Sequence, residues 1–120
     1  MDNKEFQKII DDINNNRTKD LFLARKKLSS EQVLILAKAL EKNQSIISLN
    51  LDGNDIGAKG AISLAKTLKY NKTLTSLYLG YNNIGDLGVK SLAETLKYNK
   101  TLTSLYIGDN NIGEVGVKSL

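Results

Sequence analysis

Cysteine, histidine and tryptophan are all missing from the 120 residues, and each absence closes off a chemistry. Without cysteine there is no disulfide framework and no thiolate to act as nucleophile or ligand. Without histidine the chain lacks the commonest general base near neutral pH, the commonest metal ligand, and the base that Ser-His and Cys-His pairs require. No apolar run approaches the roughly 18 residues that a membrane span needs. The opening residues, Met1-Asp2-Asn3-Lys4-Glu5, carry acids where a secretory leader carries bases, and no apolar stretch follows them. These absences predict a cytoplasmic chain with no membrane partner, no cofactor, no metal and no catalytic residues.

Arginine is scarce too, confined to Arg17 and Arg25, so the net charge of +4 is made mostly by lysines. Nucleic-acid surfaces usually gather their bases into a patch, often with arginine. Lys69, Lys72, Lys97 and Lys100 recur in a loop position, but the remaining lysines are spread along the chain. They are read as a solvated exterior, and no nucleic-acid partner is expected. The hydrophobic share of 41% and the length fit one modest core.

What the chain has in abundance is repetition. Lys69 to Tyr78 returns unchanged as Lys97 to Tyr106, a step of 28. Leu49, Leu77 and Leu105 keep that spacing, as do Asn54, Asn82 and Asn110, then Ile56, Ile84 and Ile112. Two glycine series follow, Gly57/Gly85/Gly113 and Gly60/Gly88/Gly116. A decayed earlier copy fits the same register: Leu21 and Leu23 precede Leu49 and Leu51, while Lys26 replaces the asparagine and Ser29 and Gln32 replace the glycines. A fixed period of this length is the mark of a solenoid, and a degraded unit is expected where a solenoid meets its cap.

Each unit reads as strand, turn, helix. Leu77 and Leu79 alternate with Ser76 and Tyr78, so the leucines point inward and the serine and tyrosine outward. Val89, Leu92, Ala93 and Leu96 follow at i, i+3, i+4, i+7, one buried face of a helix. Neither element could bury its apolar side alone; stacked copies form one core. An inward amide at 54, 82 and 110 is expected to satisfy main-chain groups of neighbouring turns rather than to catalyse. Gly57, Gly85 and Gly113 suit the strand-to-helix bend, and Gly60, Gly88 and Gly116 let helices approach. No Lys-Ser/Thr follows a glycine run, so no phosphate loop is present.

Residues 1–17 are read as an N-terminal capping helix and linker, and 18–120 as the repeats. Asp2 or Asn3 caps that helix, Phe6, Ile9, Ile10 and Ile13 form its apolar stripe, and Asn14 to Asn16 end it. The last unit stops at Leu120, the counterpart of Leu92, before its helix is complete. The chain is therefore expected to be a fragment, with an apolar edge open to self-association. The near-identity of the last two units fits recent duplication or design.

The run Leu74-x-x-Leu77-x-Leu79-x-x-Asn82-x-Ile84-Gly85-x-x-Gly88 resembles the ribonuclease-inhibitor-like leucine-rich repeats, the subfamily found in NOD-like receptors and Ran GTPase-activating proteins. The resemblance implies an α/β fold: a right-handed horseshoe segment with parallel strands on the concave face and helices on the convex face. It also implies a protein partner held on that concave sheet, without naming one.

Outward strand residues stack into columns, one member per unit. One column runs Phe22, Asn50, Tyr78, Tyr106. Others run Asp20, Ser48, Ser76, Ser104; Ala24, Asp52, Gly80, Gly108; and Arg25, Gly53, Tyr81, Asp109. Exposed tyrosine and arginine are frequent interface anchors, so the partner-binding face is assigned to Phe22, Arg25, Asn50, Asp52, Tyr78, Tyr81, Tyr106 and Asp109. Gly80 and Gly108 are expected to leave hollows between the rings, and Tyr78 and Tyr106 could also stack on each other. Tyr70 and Tyr98, on the far side, are read as packing residues. Asn16, Asn43, Asn71 and Asn99 each open an Asn-x-Ser/Thr triplet, but sugar attachment is not expected.

The leading functional expectation is a non-catalytic protein-recognition module. The alternative is a GTPase-activating scaffold that orients a small GTPase, with Arg25 as the only arginine of the inner face. A third reading uses the junction lysines to bind nucleic acid or another anionic surface, and predicts steep salt dependence.

Overall fold

In the computed structural model, residues 1–112 are described. Gly113, Gly116 and Leu120, and with them the expected fourth repeat helix, lie outside the described residues. Eight elements alternate along the rest: α1 (Asn3–Asn14), β1 (Asp20–Phe22), α2 (Ser30–Lys42), β2 (Ser48–Asn50), α3 (Gly57–Tyr70), β3 (Ser76–Tyr78), α4 (Gly85–Leu96) and β4 (Ser104–Tyr106). The four strands form one sheet in the order β1-β2-β3-β4. Every pairing is parallel, and Leu21, Leu49, Leu77 and Leu105 share one register row. This is the α/β solenoid that the 28-residue period predicts.

The core follows from the two periodicities. Leu49, Leu51, Leu77 and Leu79 from the strand segments meet Leu36, Leu64, Leu68, Val89 and Leu92 from the helices, all buried. Burying a side chain of this size stabilises the fold by about 1.5–3 kcal/mol. Phe6, Ile10 and Ile13 of α1 enter the same core, so the first repeat has no bare apolar end. Asp2 caps α1 by accepting from the Glu5 amide (3.4 Å), and Asn16, with φ of 54°, turns the chain out of it.

The inward asparagines bind one repeat back. The Asn82 amide donates to the carbonyls of Leu51 (2.9 Å) and Gly80 (3.0 Å). Its Oδ1 accepts from the backbone N–H of Asn54 (2.8 Å) and Ile56 (3.4 Å) in the preceding turn. Asn54 repeats the pattern on Leu23, Lys26 and Leu28, and Asn110 on Leu79, Asn82 and Ile84. The first unit has no repeat turn behind it, and at that position exposed Lys26 contributes only its main-chain N–H.

A second series does the same at the helix ends. Asn43, Asn71 and Asn99 are buried. Their amides donate to the carbonyls of Ile13 (2.8 Å), Leu40 (2.8 Å) and Leu68 (2.7 Å) at the ends of the preceding helices. Each Oδ1 accepts two N–H groups of its own loop, as in Asn71 from Thr73 (2.9 Å) and Leu74 (2.8 Å). Three of the four Asn-x-Ser/Thr triplets are thus helix-to-strand connectors whose amide nitrogen is already engaged.

Helix starts differ between units. Gly57 and Gly85 sit at φ of +71° and +72°, a left-handed conformation that costs other residues about 1–2 kcal/mol. The first repeat avoids that turn: Ser29 is extended and forms a capping box with Gln32 (Gln32 N–H to Ser29 Oγ, 3.1 Å; Ser29 N–H to Gln32 Oε1, 3.0 Å). The Gln32 amide then reaches the Met1 carbonyl (2.8 Å) and pins α1. At Gly60 and Gly88 the room serves two neighbours. An added Cβ would strike the Cγ2 of Ile56 or Ile84 from the same repeat, at 2.2 and 2.3 Å, and would also crowd Val33 or Ala61 of the adjacent helix, at 3.3 and 3.0 Å.

Removing the Asn82 amide strands the N–H groups of Asn54 and Ile56 and takes one of two donors from the carbonyls of Leu51 and Gly80. Asn82→Ala is expected to destabilise the fold by about 2–4 kcal/mol, read as a fall in the urea midpoint, while Lys90→Ala, exposed on α4, shifts it by less than about 1 kcal/mol.

Candidate functional site

The strand face is a grid whose rows are repeats and whose columns are fixed by the register. Phe22, Asn50, Tyr78 and Tyr106 are aligned by direct pairing. The short strands leave both flanks of each inward leucine on the surface, and Phe22 is 73% exposed. The Tyr78 and Tyr106 rings stack with centroids 4.5 Å apart and planes 4° from parallel. That separation is close to the roughly 4.8 Å between neighbouring strands, so the rings keep the spacing of the backbones that carry them. Stacking covers part of Tyr78, while Tyr106 is 52% exposed.

The next columns turn on left-handed backbone. Arg25, Tyr81 and Asp109 have φ of 53–55°, and Gly53 has 69°. Lys27, Asp55, Asn83 and Asn111, two residues later, are also left-handed. Each inward asparagine is therefore flanked by two such residues, and its bonds to the adjacent turns hold a conformation unfavourable for most side chains. Gly53 has a further effect. With no side chain there, Arg25 crosses the second repeat, its Cγ within 3.0 Å of where a Gly53 Cβ would stand. Its guanidinium carbon comes to rest 5.8 Å from the Tyr81 ring centroid, within cation–π range.

Polar members of the grid are partly committed. Asn50 Oδ1 accepts from the Asp52 N–H (3.0 Å), and Asp52 Oδ1 accepts from the Gly80 N–H (2.7 Å). The hollow expected at Gly80 is consequently absent: the Asp52 carboxylate lies over it, and Gly80 is buried. The space above Gly108 is open, with nothing within 4 Å of an added Cβ. The grid brings Phe22, Arg25, Asn50, Asp52, Tyr78, Tyr81, Tyr106 and Asp109 to one side of the sheet, with Asn50 and Asp52 engaged within it.

Tyr70 and Tyr98 overturn the expectation that they pack. They are 57% and 79% exposed. The neighbouring Asn71 and Asn99 take the inward place because their amides are needed by the preceding helix, so the rings are turned out. Tyr70 stands beside Lys69, whose Nζ lies 5.6 Å from the ring centroid.

Among the described residues no cluster of acids has the arrangement to hold a metal ion, and no helix is long and apolar enough to cross a membrane. The Leucine Rich repeat family matches residues 42–65, 70–93 and 98–120. A solved structure named Leiomodin-1 Actin-Binding Site 2 superposes with a TM-score of 0.88 at 26% sequence identity, covering 95% of this chain and 69% of that one. No curated protein sequence matches.

The stacked tyrosines are expected to be coupled. A double-mutant cycle with Tyr78→Ser and Tyr106→Ser, followed by urea unfolding, is expected to give an interaction energy of about 0.5–1.5 kcal/mol; strictly additive losses would mean that the rings do not support each other.

Proposed function

Because this chain belongs to the leucine-rich-repeat family, we propose that it is a non-catalytic protein-recognition module that holds a protein partner on its strand face. The observation that carries this reading is the exposed aromatic column. Phe22 and the Tyr78–Tyr106 stack stand outward on a rigid sheet, with Arg25 and Tyr81 beside them. Aromatic and arginine side chains already held in place lose little freedom when a partner covers them. We place the chain in the ribonuclease-inhibitor-like subfamily on the Asn82-x-Ile84-Gly85-x-x-Gly88 pattern. Residues 1–17 serve as the cap, residues 18–120 as the repeats, and a cytoplasmic setting belongs to the same reading.

The similarity to an actin-binding site makes actin the first partner to try. Support for a GTPase-activating scaffold is thinner. Arg25, the arginine of this face, is laid over Tyr81, and the even 28-residue step leaves no inserted loop to carry it towards a nucleotide.

The test pairs binding with a fold control. Co-sedimentation with actin filaments, and capture of partners from native lysate, are expected to be lost in the Tyr78→Ser/Tyr106→Ser variant while its circular dichroism is unchanged. Undiminished capture by that variant would remove the strand face from the reading, and accelerated GTP turnover by a small GTPase would favour the scaffold instead.

A further inference from the structure

The two edges of the sheet differ in charge. In the second to fourth repeats, the edge where strands run into helices carries Asp52, Asp55, Asp86 and Asp109 against one base, Lys59. The opposite edge, where helices run into strands, carries Lys42, Lys69, Lys72, Lys97 and Lys100, all exposed. The period makes this a row rather than a scatter, because Lys69 and Lys72 recur as Lys97 and Lys100 one repeat later.

Among the described residues Glu41 and Glu94 line grooves beside that row, and neither is paired with one of its lysines. The ion pairs there are Arg17–Asp12 and Lys38–Glu41, so the nearby Glu41 is engaged elsewhere and none of the five lysines is in an ion pair. Helix C-terminal carbonyls could have answered a lysine, but those of Ile13, Leu40 and Leu68 accept from Asn43, Asn71 and Asn99. The row also has aromatic surface, since Tyr70 and Tyr98 project between the lysines. It has relief as well. A groove of about 570 Å³ lined by Lys19, Gln44 and Thr73 adjoins one of about 320 Å³ lined by Lys42, Tyr70 and Lys72. A third, of about 560 Å³, lies between α3 and α4 and is lined by Lys66, Lys69, Glu94 and Tyr98 among others.

We propose that this lysine–tyrosine edge is a second interaction surface, separate from the strand face, and that it takes an extended acidic segment of a protein. Carboxylates of the segment lie against the lysines, and its aliphatic stems cover the two tyrosine rings. An acidic peptide fits better than a nucleic acid because the cations of the row are compact lysine ammoniums on separate loops, and Arg17, which lines the first groove, is already paired with Asp12 (3.7 Å) rather than offering a free fork to phosphates. The row occupies three successive loops, two steps of about 5–10 Å each by strand and helix spacing, so a segment of about six extended residues is enough to follow it.

The probe is a fluorescein-labelled peptide of about six glutamates, titrated by anisotropy against the full chain. Saturable binding is expected, weakened about tenfold between low and moderate salt as the exposed pairs are screened. Replacing Lys69, Lys72, Lys97 and Lys100 by serine is expected to weaken it a further tenfold or about that. Tyr70→Ser/Tyr98→Ser costs about threefold at unchanged net charge, a loss that charge alone does not produce. The Tyr78→Ser/Tyr106→Ser variant binds as the parent does, so failure of the strand-face reading is told apart from failure of this one. No peptide binding, indifference to the Tyr70/Tyr98 pair, or tighter binding to single-stranded oligothymidylate or phosphatidylserine vesicles than to the peptide would overturn the proposal.

Discussion

The structure depends on amides that bind backwards. In a stack of parallel strands, each turn leaves N–H and C=O groups facing the interior at the point where the strand ends, and a buried group without a partner costs about 1–3 kcal/mol. Asn54, Asn82 and Asn110 meet that demand on one edge, and Asn43, Asn71 and Asn99 on the other. Thr67 adds a third link behind the sheet, its hydroxyl donating to the Ala37 carbonyl (2.7 Å), and Thr95 repeats it on Ala65 (3.2 Å). Leucine burial supplies the driving force, but it is non-directional. The amides fix how far and at what angle one unit lies on the last.

That division explains what could be read from the residues alone. Period, strand and helix phases, and the inward place of Asn82 were legible because each rests on a spacing repeated in several copies. The column Phe22, Asn50, Tyr78, Tyr106 followed from the same spacing, since parallel pairing carries position i to position i+28. The role of the Asn43 series was harder to see. Its spacing was visible, but the motif doubles as a sugar-acceptor triplet, and nothing in the letters says that the amide is turned inward.

The tyrosines show a similar limit. Tyr70 and Asn71 are adjacent in a short loop, and hydrophobicity favours burying the ring, whereas hydrogen bonding favours burying the amide. The amide prevails because it donates to the Leu40 carbonyl and its oxygen accepts from the N–H groups of Thr73 and Leu74, and an aromatic left outside costs less than leaving those buried groups without it. At Gly80 the missing side chain promised a hollow, but Asp52 from the repeat before fills it. Local spacing cannot show a side chain that leans across from a neighbouring unit. Arg25 leans further still, over Gly53 to Tyr81, so three successive repeats are joined across the strand face.

Most side-chain hydrogen bonds between repeats share one further property: they end on main-chain atoms, and every copy has main-chain atoms. Asn82 finds a carbonyl on residue 51 whichever side chain that residue carries. A duplicated unit can therefore be spliced in beside any other without matched changes in its neighbour. The letters on the outer surface are left free to drift, and a lineage built this way can exchange one binding preference for another while its interior stays the same.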